Sequence, residues 1–455
     1  MKGAWKLALR GLRRNQRRNL ATGMAIALGY AGMVLLSSYI LSVNAYLRTV
    51  AIYLQNSGHL SIYRKEGLEL HKVRPVRYSL SADDQAAIAE VLAADSNVEL
   101  SVPFLLGTGM VGNGCKSVPF TARGVDPELE RRIRTHSDVL ATTPELSKPL
   151  RGGDLANHSS VANPLELSAG LARILGKPQV LDELQGTASG PTTLIRDCQS
   201  PEAAKKIAAE ATVQLAGSGD AGGFSAMEGE MVGVISTGLT TTEDSTVVAP
   251  LGALQELYGT DRVTYVAVFL RDASRIPARA AELQAKLQAK GLDVSVHPFT
   301  DPAVNPFYMG TVGFLGVMAG FLGIVVFAVV ALSILNSMTL SILERTREIG
   351  TLRSLGFTRT QLLGLFVREG VVLTALGVGC GLVLAGVTAA LVNLRDVRVT
   401  PPGVPGSMQL VLTPNPGLCL GIAAILGVLS LIATVIATRR RTRQNIAHLI
   451  TALTG

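Results

Sequence analysis

The sequence lacks the short motifs through which most enzymes hold a phosphate, a metal or a nucleophile. It contains no GxxxxGKS or GxxxxGKT phosphate-binding loop, no HExxH or CxxC metal-binding motif and no GxSxG nucleophile elbow. Its six histidines are scattered along the chain and form no pattern of metal ligands. We therefore expect no catalytic residue, no bound metal or cofactor and no enzymatic activity of this chain itself.

Charged residues are also scarce, at 17% of the 455 residues, whereas hydrophobic residues make up 48% and the mean hydropathy is +0.35. This composition is too apolar for an ordinary soluble protein. A helix needs about 20 predominantly apolar residues to cross a membrane. Four runs without any charge exceed that length and predict four transmembrane helices: Leu20–Leu47, Pro302–Leu343, Gly370–Leu394 and Gly417–Thr438.

The first and second runs are longer than a membrane crossing requires. The first run has 28 residues, which as a helix would span about 42 Å against a bilayer core of about 30 Å. It is also too long for a cleaved signal peptide, so we expect it to be retained as an anchor. The excess length is explained by tilt, or by helices that continue out of the membrane as a stalk, and we favour the stalk.

Basic residues are distributed unevenly around these runs. Residues 1–19 contain seven Lys or Arg and no acidic residue, residues 344–369 contain five, and the segment after Thr438 contains four. The loop 395–416 contains only two. Because short cytoplasmic segments are enriched in Lys and Arg, we expect both termini and residues 344–369 to be cytoplasmic. The net charge of +8 then reflects membrane topology, and we expect no binding to nucleic acid.

These observations predict a membrane protein of four transmembrane α-helices, with a large α+β extracytoplasmic domain inserted between helices 1 and 2. An amphipathic cytoplasmic helix at residues 1–19, next to membrane lipid, leads into transmembrane helix 1. The external domain consists of one subdomain from 48–125 plus 230–300 and another from 126–229. The predicted order is transmembrane helix 1 (20–47), external domain (48–306), transmembrane helix 2 (307–340), cytoplasmic helix (341–358), transmembrane helix 3 (360–394), extracytoplasmic loop (395–416), transmembrane helix 4 (417–438) and cytoplasmic tail (439–455).

Local signals within the external segment predict individual elements. Ser81 is expected to cap a helix, and a second helix is predicted over Ile276–Lys290. A further helix is predicted over Pro164–Leu175, and the stretch AGSGDAGGFSA predicts a loop. Cys115 and Cys198 both fall in this segment, where a disulfide is chemically permitted, and their spacing leaves the pairing open.

A charged segment, LERTREIGTLRSLGFT at residues 343–358, lies between two of the apolar runs. It alternates charges with aliphatic residues: Ile349 and Leu352 lie three positions apart, and Gly356 is placed to end a helix. A solvated connector between two membrane helices has no need of the aliphatic residues. A helix that docks into a groove of a cytoplasmic partner needs both apolar anchors and a charged rim. We therefore favour a docking helix over a connector.

The stretch ERTREIGTLRSLGFTRTQLLGLFVREG resembles the signature of the FtsX-like permease family, which includes MacB-type export permeases, the division protein FtsX and the lipoprotein-releasing Lol permeases. The segments LALRGLRRNQRRNLATGMAIALG, STVVAPLGALQELYG and LSAGLARILG are similar to other parts of that family. Within the family, the undivided external segment and its beginning, GHLSIYR, favour a Lol-type permease.

The resemblance implies a permease subunit of a bacterial ABC transporter in the inner membrane. Such a subunit transmits ATP-driven motion to a periplasmic domain, here for the release of lipoproteins. Two alternatives stay open, namely FtsX-like regulation of a periplasmic hydrolase and MacB-type export of peptides or drugs. The implied partners are a separate cytoplasmic ABC ATPase that binds ATP and Mg²⁺, a second permease chain in a homo- or heterodimer, and a periplasmic lipoprotein carrier.

The resemblance also implies residue roles. The segment between membrane helices 2 and 3 would be a coupling helix, whose contacts to the ATPase fall on Glu344, Arg345, Arg347, Glu348, Ile349, Gly350, Leu352, Arg353 and Gly356. A substrate path for acyl chains would lie between the first two helices and would be lined by Tyr30, Val34, Tyr39, Phe314 and Phe321.

Overall fold

The computed structural model describes residues 16–177, 200, 202, 210–219 and 223–442. The chain divides into two units. One unit, which we call the helical unit, contains the residues up to Val43, Gly313–Arg398 and the residues from Gln409 onward. The other, which we call the sheet unit, contains Asn44–Val312 and Val399–Met408. Most of the amphipathic helix predicted at 1–19 lies outside the described residues.

The described α-helices vary from single turns to spans of almost forty residues. A π-helical turn at Val50–Leu54 directly continues the first helix, and 3₁₀ turns lie at Pro144–Leu146 and Leu155–His158. In chain order the helices are α1 (Gln16–Thr49), α2 (Gly67–Leu70), α3 (Pro75–Tyr78), α4 (Ala82–Ala93), α5 (Pro127–Arg134), α6 (Ser137–Thr142), α7 (Ala169–Ile174), α8 (Thr240–Glu243), α9 (Leu251–Tyr258), α10 (Ile276–Ala289), α11 (Pro306–Glu344), α12 (Thr346–Ser354), α13 (Arg359–Leu394) and α14 (Pro416–Thr442).

The described strands fall almost entirely in the sheet unit. In chain order they are β1 (Leu60–Arg64), β2 (Val98–Gly112), β3 (Ser117–Val125), β4 (Arg151–Gly152), β5 (Pro164–Ser168), β6 (Thr212–Ser218), β7 (Phe224–Ile235), β8 (Thr246–Pro250), β9 (Tyr265–Leu270), β10 (Val294–Pro298), β11 (Arg398–Val399) and β12 (Met408–Gln409).

Four helices are long and apolar enough to cross a membrane, which confirms the prediction of four transmembrane helices. Within the described residues these spans are Asn19–Leu54, Pro306–Glu344, Arg359–Leu394 and Pro416–Arg439. The boundary between the two units falls inside the first two spans, between Val43 and Asn44 and between Val312 and Gly313. The sheet unit takes in residues 44–54 of the first span and 306–312 of the second, while residues 313–344 of the second span belong to the helical unit. The choice between a stalk and tilt stays a prediction.

Close packing of α1 against α13 explains two glycines of the third apolar run. A Cβ added at Gly377 would lie 2.7 Å from a methyl carbon of Ile26, and one added at Gly381 would lie 2.6 Å from the carbonyl oxygen of Ala27. Real Cβ atoms do not approach other atoms so closely, so these positions require glycine. The small residues therefore allow two helix backbones to approach, as expected in a membrane bundle.

The sheet unit contains a ten-stranded sheet with the order β10-β1-β9-β2-β3-β8-β5-β7-β4, and β6 pairs with β2 and β7. Strand β1 is antiparallel to both β9 and β10, so the two ends of the external segment meet in one half of the sheet. In the other half, β3 pairs in parallel with β8, and β5 pairs in parallel with β7. The strands from the middle of the segment thus continue the same sheet.

Two local predictions have different outcomes. Ser81 caps α4, because its hydroxyl accepts from the Asp84 backbone N–H at 3.2 Å while the Asp84 carboxylate accepts from the Ser81 N–H at 2.9 Å. The helix predicted over Pro164–Leu175 is wrong in its first half. Residues Pro164–Ser168 form β5, all of them buried, because this strand pairs on both edges, with β7 and β8. Only Ala169–Ile174 is helical.

The predicted loop and the two cysteines of the external segment lie only partly within the described residues. Part of the stretch AGSGDAGGFSA belongs to β6 and β7, and its residues 220–222 lie outside the described residues. Cys115 is disulfide-bonded. Cys198 lies outside the described residues.

Candidate functional site

The charged segment at 343–358 folds as a short separate helix between two membrane spans. Helix α11 ends at Glu344, α12 covers Thr346–Ser354, and α13 begins at Arg359. Gly356 adopts φ +92°, a left-handed conformation that favours glycine after a helix end. Its N–H donates to the Arg353 carbonyl at 3.1 Å, and the Phe357 N–H donates to the Leu352 carbonyl at 3.1 Å. This Schellman motif confirms that Gly356 ends the helix.

One face of α12 packs within the helical unit. Ile349 is buried, and Leu352 packs against the same hydrophobic cluster, which also contains Ile342, Leu362 and Phe366. Gly350 is buried as well. The two aliphatic residues that the sequence offered as anchors for a partner therefore face inward, because they hold α12 on its own bundle. The side chain of Arg347 lies outside what the structure describes.

The opposite face of α12 and the turn after it carry exposed groups of two kinds. Glu344, Glu348 and Thr351 are exposed polar residues. Leu355 is 73% exposed and Phe357 is 46% exposed, although both are large and apolar. Sequence analysis missed these two residues, because it followed helical spacing and they lie at and beyond the helix end. The Gly356 turn was the sequence feature that could have indicated their exposure, because it separates them from the buried face of α12.

A buried ion pair joins the beginning of α12 to α13. The Arg345 Nη1 atom lies 3.2 Å from Glu369 Oε2, and the two side chains are 14% and 3% exposed. Sequence analysis missed Glu369 because it borders the charge-free run that begins at Gly370. A carboxylate at a membrane helix is costly unless it is paired. The acidic residue in the FVREG stretch could therefore have indicated an ion pair at this position.

Arg353 contributes a second feature at the end of α12. Its Nη1 atom is buried, and it makes no hydrogen bond with any residue that the structure describes. Buried guanidinium nitrogens are normally hydrogen-bonded, so this nitrogen is an exception within the described residues. Glu344 and Glu348 both make interactions within the chain.

The five residues predicted to line a substrate path are not brought together within this chain. Tyr30 and Val34 are buried in the helical unit, and the Tyr30 hydroxyl donates to the Cys419 carbonyl at 3.2 Å. Tyr39 is half-buried. Phe314 and Phe321, by contrast, are each 66% exposed on α11. The five residues thus differ in burial, and the substrate path stays a prediction.

Comparison with known proteins bears on the helical part of the chain. Residues 306–446 match the family described as FtsX-like permease C-terminal. The uncharacterised ABC transporter permease YknZ of Bacillus subtilis (strain 168) is 30% identical over 169 residues, which are 36% of this chain and 42% of that protein. The pyoverdine export ATP-binding/permease protein PvdT of Pseudomonas putida is 28% identical over 160 residues, 34% of this chain and 24% of that protein.

A third relative is the macrolide export ATP-binding/permease protein MacB of Brucella abortus, 29% identical over 161 residues, 34% of this chain and 24% of that protein. The chain spans less than half the length of these curated relatives. Among solved structures, the extracellular domain of YknZ from Gram-positive bacteria matches 52% of this chain and 98% of that chain, with a TM-score of 0.30 and 15% identity. The periplasmic region of MacB from Actinobacillus actinomycetemcomitans matches 53% and 88%, with a TM-score of 0.32 and 14% identity. Residues 306–446, which hold α11, α12, α13 and the described part of the last membrane span, form an FtsX-like permease C-terminal domain.

Proposed function

We propose that this chain is the permease subunit of an ABC transporter, and that α12 with its following turn docks on a separate cytoplasmic ATPase. The observation that carries the proposal is the two-sided construction of this segment. Its inner face is fixed by Ile349 and by the Arg345–Glu369 ion pair. Its outer surface presents Leu355 and Phe357 beside exposed acidic residues. This combination of apolar anchors and a charged rim suits a groove on a partner protein.

In this proposal ATP and Mg²⁺ belong to the partner. ATP-driven closure of the ATPase would displace α12, and the rigid attachment of α12 to α13 would pass that displacement into the membrane helices. The continuous helices α1 and α11 would then carry it into the sheet unit, since each runs unbroken through the boundary between the units. Both termini and α12 would be cytoplasmic, and the sheet unit would be extracytoplasmic.

The docking surface is tested by exchanging its exposed apolar side chains. The full chain is purified in mild detergent from its own host, and the co-purifying ATPase is identified and quantified by mass spectrometry. Loss of one well-buried apolar side chain at an interface costs about 1.5–3 kcal/mol, so Leu355→Ala and Phe357→Ala should each lower ATPase recovery about tenfold or more. Leu394→Ala is the matched control, because Leu394 is 81% exposed at the other end of α13. Equal ATPase recovery in all three variants would remove α12 as the docking surface, and recovery of no ATPase at all would remove the transporter.

For the cargo we propose export of a small molecule or peptide. The support is that the relatives of this chain include proteins named for pyoverdine export and macrolide export. Lipoprotein release is the second candidate, because Phe314 and Phe321 expose an apolar face of α11 to which acyl chains could bind. Regulation of a periplasmic hydrolase, with no transported substrate, stays the third.

The cargo classes are separated by ATPase stimulation in proteoliposomes. A complex of this chain and its ATPase should respond to siderophore peptides or macrolides if it exports them, and to an acylated lipoprotein if it releases lipoproteins. Stimulation by neither class, together with a stably bound hydrolase, would favour the regulator. The second permease chain in the complex would be identified by the same purification, as a copy of this chain or as a different protein.

A further inference from the structure

Two adjoining cavities lie within the sheet unit, near the residues where α1 and α11 begin or end. The larger has a volume of about 230 Å³ and is lined by residues of β1, β3 and β9 and by the segment before β8. The smaller has a volume of about 160 Å³ and is lined by residues of α1 and α11. Four residues line both cavities: Gln55, Thr242, Val304 and Asn305. The two cavities therefore share walls and form neighbouring compartments.

The larger compartment is polar and carries a positive charge. Its lining residues include Arg123 and the hydroxyl-bearing residues Thr121, Ser245 and Tyr63. The side-chain hydroxyls of these three residues make no hydrogen bond with any residue that the structure describes. None of the described residues that line this compartment is Asp or Glu. Its free groups are thus donors beside a cation, which suits a ligand rich in acceptor oxygens.

The Arg123 guanidinium donates to a neutral acceptor, and Glu130, the acid whose charge acts on it, is hydrogen-bonded to other residues. Arg123 is buried, and its Nη1 atom donates to the Leu54 carbonyl at 2.9 Å, which is a neutral acceptor. The neighbouring Glu130 carboxylate accepts from Arg134 at 2.9 Å and from the Asn56 amide at 2.8 Å. Because arginine remains protonated in proteins, Arg123 keeps a positive charge beside the compartment. Because Glu130 also pairs with Arg134, Arg123 can interact with a further anion.

The smaller compartment is largely apolar. Its walls include Leu47 of α1, Ala51 of the π-helical turn after it, Leu239, and Pro306 and Phe307 at the beginning of α11. Both helices belong to spans that are long and apolar enough to cross a membrane. The larger compartment has room for about seven or eight water molecules. These sizes suit a head group and the first methylenes of a chain, and they are too small for a whole macrolide or a folded peptide.

We propose that the two compartments together bind one anionic glycerophospholipid. The phosphate ester of the head group would lie beside Arg123 and accept hydrogen bonds from Thr121 and Ser245. The first part of one acyl chain would lie against Leu47 and Phe307. This site goes beyond the proposed transport function, since it requires neither an ATPase nor an exported substrate. It assigns to the sheet unit a lipid ligand that would contact residues of α1 and α11 directly.

The test uses a tryptophan reporter in the full chain, because the natural sequence contains a single tryptophan, Trp5. In a Trp5→Phe background, Phe307→Trp places the reporter at the apolar compartment, where residue 307 is half-buried. Phe314→Trp, at a 66% exposed position of the same helix, reports the surrounding lipid or detergent. Each protein in detergent is titrated with phosphatidylglycerol or phosphatidylcholine that carries brominated acyl chains, and quenching is measured.

We expect brominated phosphatidylglycerol to quench the residue-307 reporter at a concentration about tenfold lower than phosphatidylcholine, and the two lipids to quench the residue-314 reporter alike. The double change Thr121→Val and Ser245→Ala removes two hydrogen bonds to a charged group, so it should raise the half-quenching concentration at residue 307 about tenfold or more. Thr212→Val is the matched control, because Thr212 is an exposed strand threonine outside the cavities.

Equal quenching of the residue-307 reporter by both lipids would overturn the proposal, as would an unchanged response in the double variant. A third titration uses sn-glycerol 3-phosphate, which has the head-group chemistry without a chain. Competition by this compound with phosphatidylglycerol supports the head-group site. If it bound while brominated lipid gave no quenching at residue 307, the ligand would be a water-soluble phosphate ester, and the lipid assignment would be wrong.

Discussion

The ion pair between Arg345 and Glu369 makes a quantitative prediction about how α12 is held. At an effective dielectric constant of about 20, unit charges separated by the observed 3.2 Å attract each other by about 5 kcal/mol. Much of that attraction offsets the cost of removing both charges from water. Removing Glu369 leaves the Arg345 charge without this counter-charge, which costs about 3–5 kcal/mol, whereas Glu369 makes a further interaction within the chain. Glu369→Leu should therefore be strongly destabilising, and Arg345→Met should be destabilising to a smaller extent.

A double variant tests whether the stability lost in the two single variants comes from the interaction between Arg345 and Glu369. With Arg345→Met and Glu369→Leu combined, neither charge of this pair is left, so the protein should lose less stability than the sum of the two single losses. Thermal unfolding in detergent, followed by the fraction that stays monodisperse, measures all four proteins. Arg368→Met is the control for loss of an arginine, because Arg368 is the exposed neighbour of Glu369.

Additive losses in the double variant would refute the reasoning, because they would show that the two charges do not depend on each other. Single variants as stable as the Arg368→Met control would refute it as well. In the proposed transporter the same variants also have a functional readout. A loosened α12 should still bind the ATPase through Leu355 and Phe357, while ATP hydrolysis no longer drives movement of the sheet unit.

Three further predictions concern stability. Burial raises the pKa of Glu166 to about 7 from 4.5, so the folded state binds this proton more tightly than the unfolded chain does. The free energy of unfolding should therefore fall by up to about 3 kcal/mol between pH 4.5 and 7. In denaturation measured as a function of pH, Glu166→Gln should abolish this dependence. Ser81→Ala removes the cap of α4 and should lower the unfolding free energy by about 1 kcal/mol, and an unchanged denaturation midpoint would contradict the capping role. Gly381→Leu should disrupt the contact of α13 with α1 and reduce the yield of monodisperse protein, whereas Gly386→Leu, where an added Cβ meets nothing within 4 Å, should not.

The membrane part of the fold could be predicted from the sequence because its signals are long and redundant. A run of more than twenty residues without charge has few alternatives to a membrane helix. The glycine that ends α12 was equally readable, since a left-handed residue after a helix strongly favours glycine. These features depend on residues that are close together in sequence.

The parts that could not be predicted depend on contacts between distant residues. Pro164–Ser168 reads as a helical start, yet it is a strand because β7 and β8 lie on both of its edges. Ile349 reads as an exposed anchor, yet it is buried because Leu362 and Phe366 fold back onto it. In the same way, the role of Glu369 depends on its ion pair with Arg345, the residue immediately before α12. Helical spacing shows which residues share a face, but not whether the chain itself covers that face.

The pairing of β1 also determines when the sheet unit can fold. Leu60 pairs with Val268 on one edge and with Pro298 on the other, so an early strand has to wait for two of the last strands of the segment. Closing a loop of this length costs about 5 kcal/mol of chain entropy before the contacts form. A ribosome must therefore have synthesised the chain beyond residue 298 before β1 has both neighbours. Until then its hydrogen-bonding edges are open, and pairing with another chain competes with correct folding.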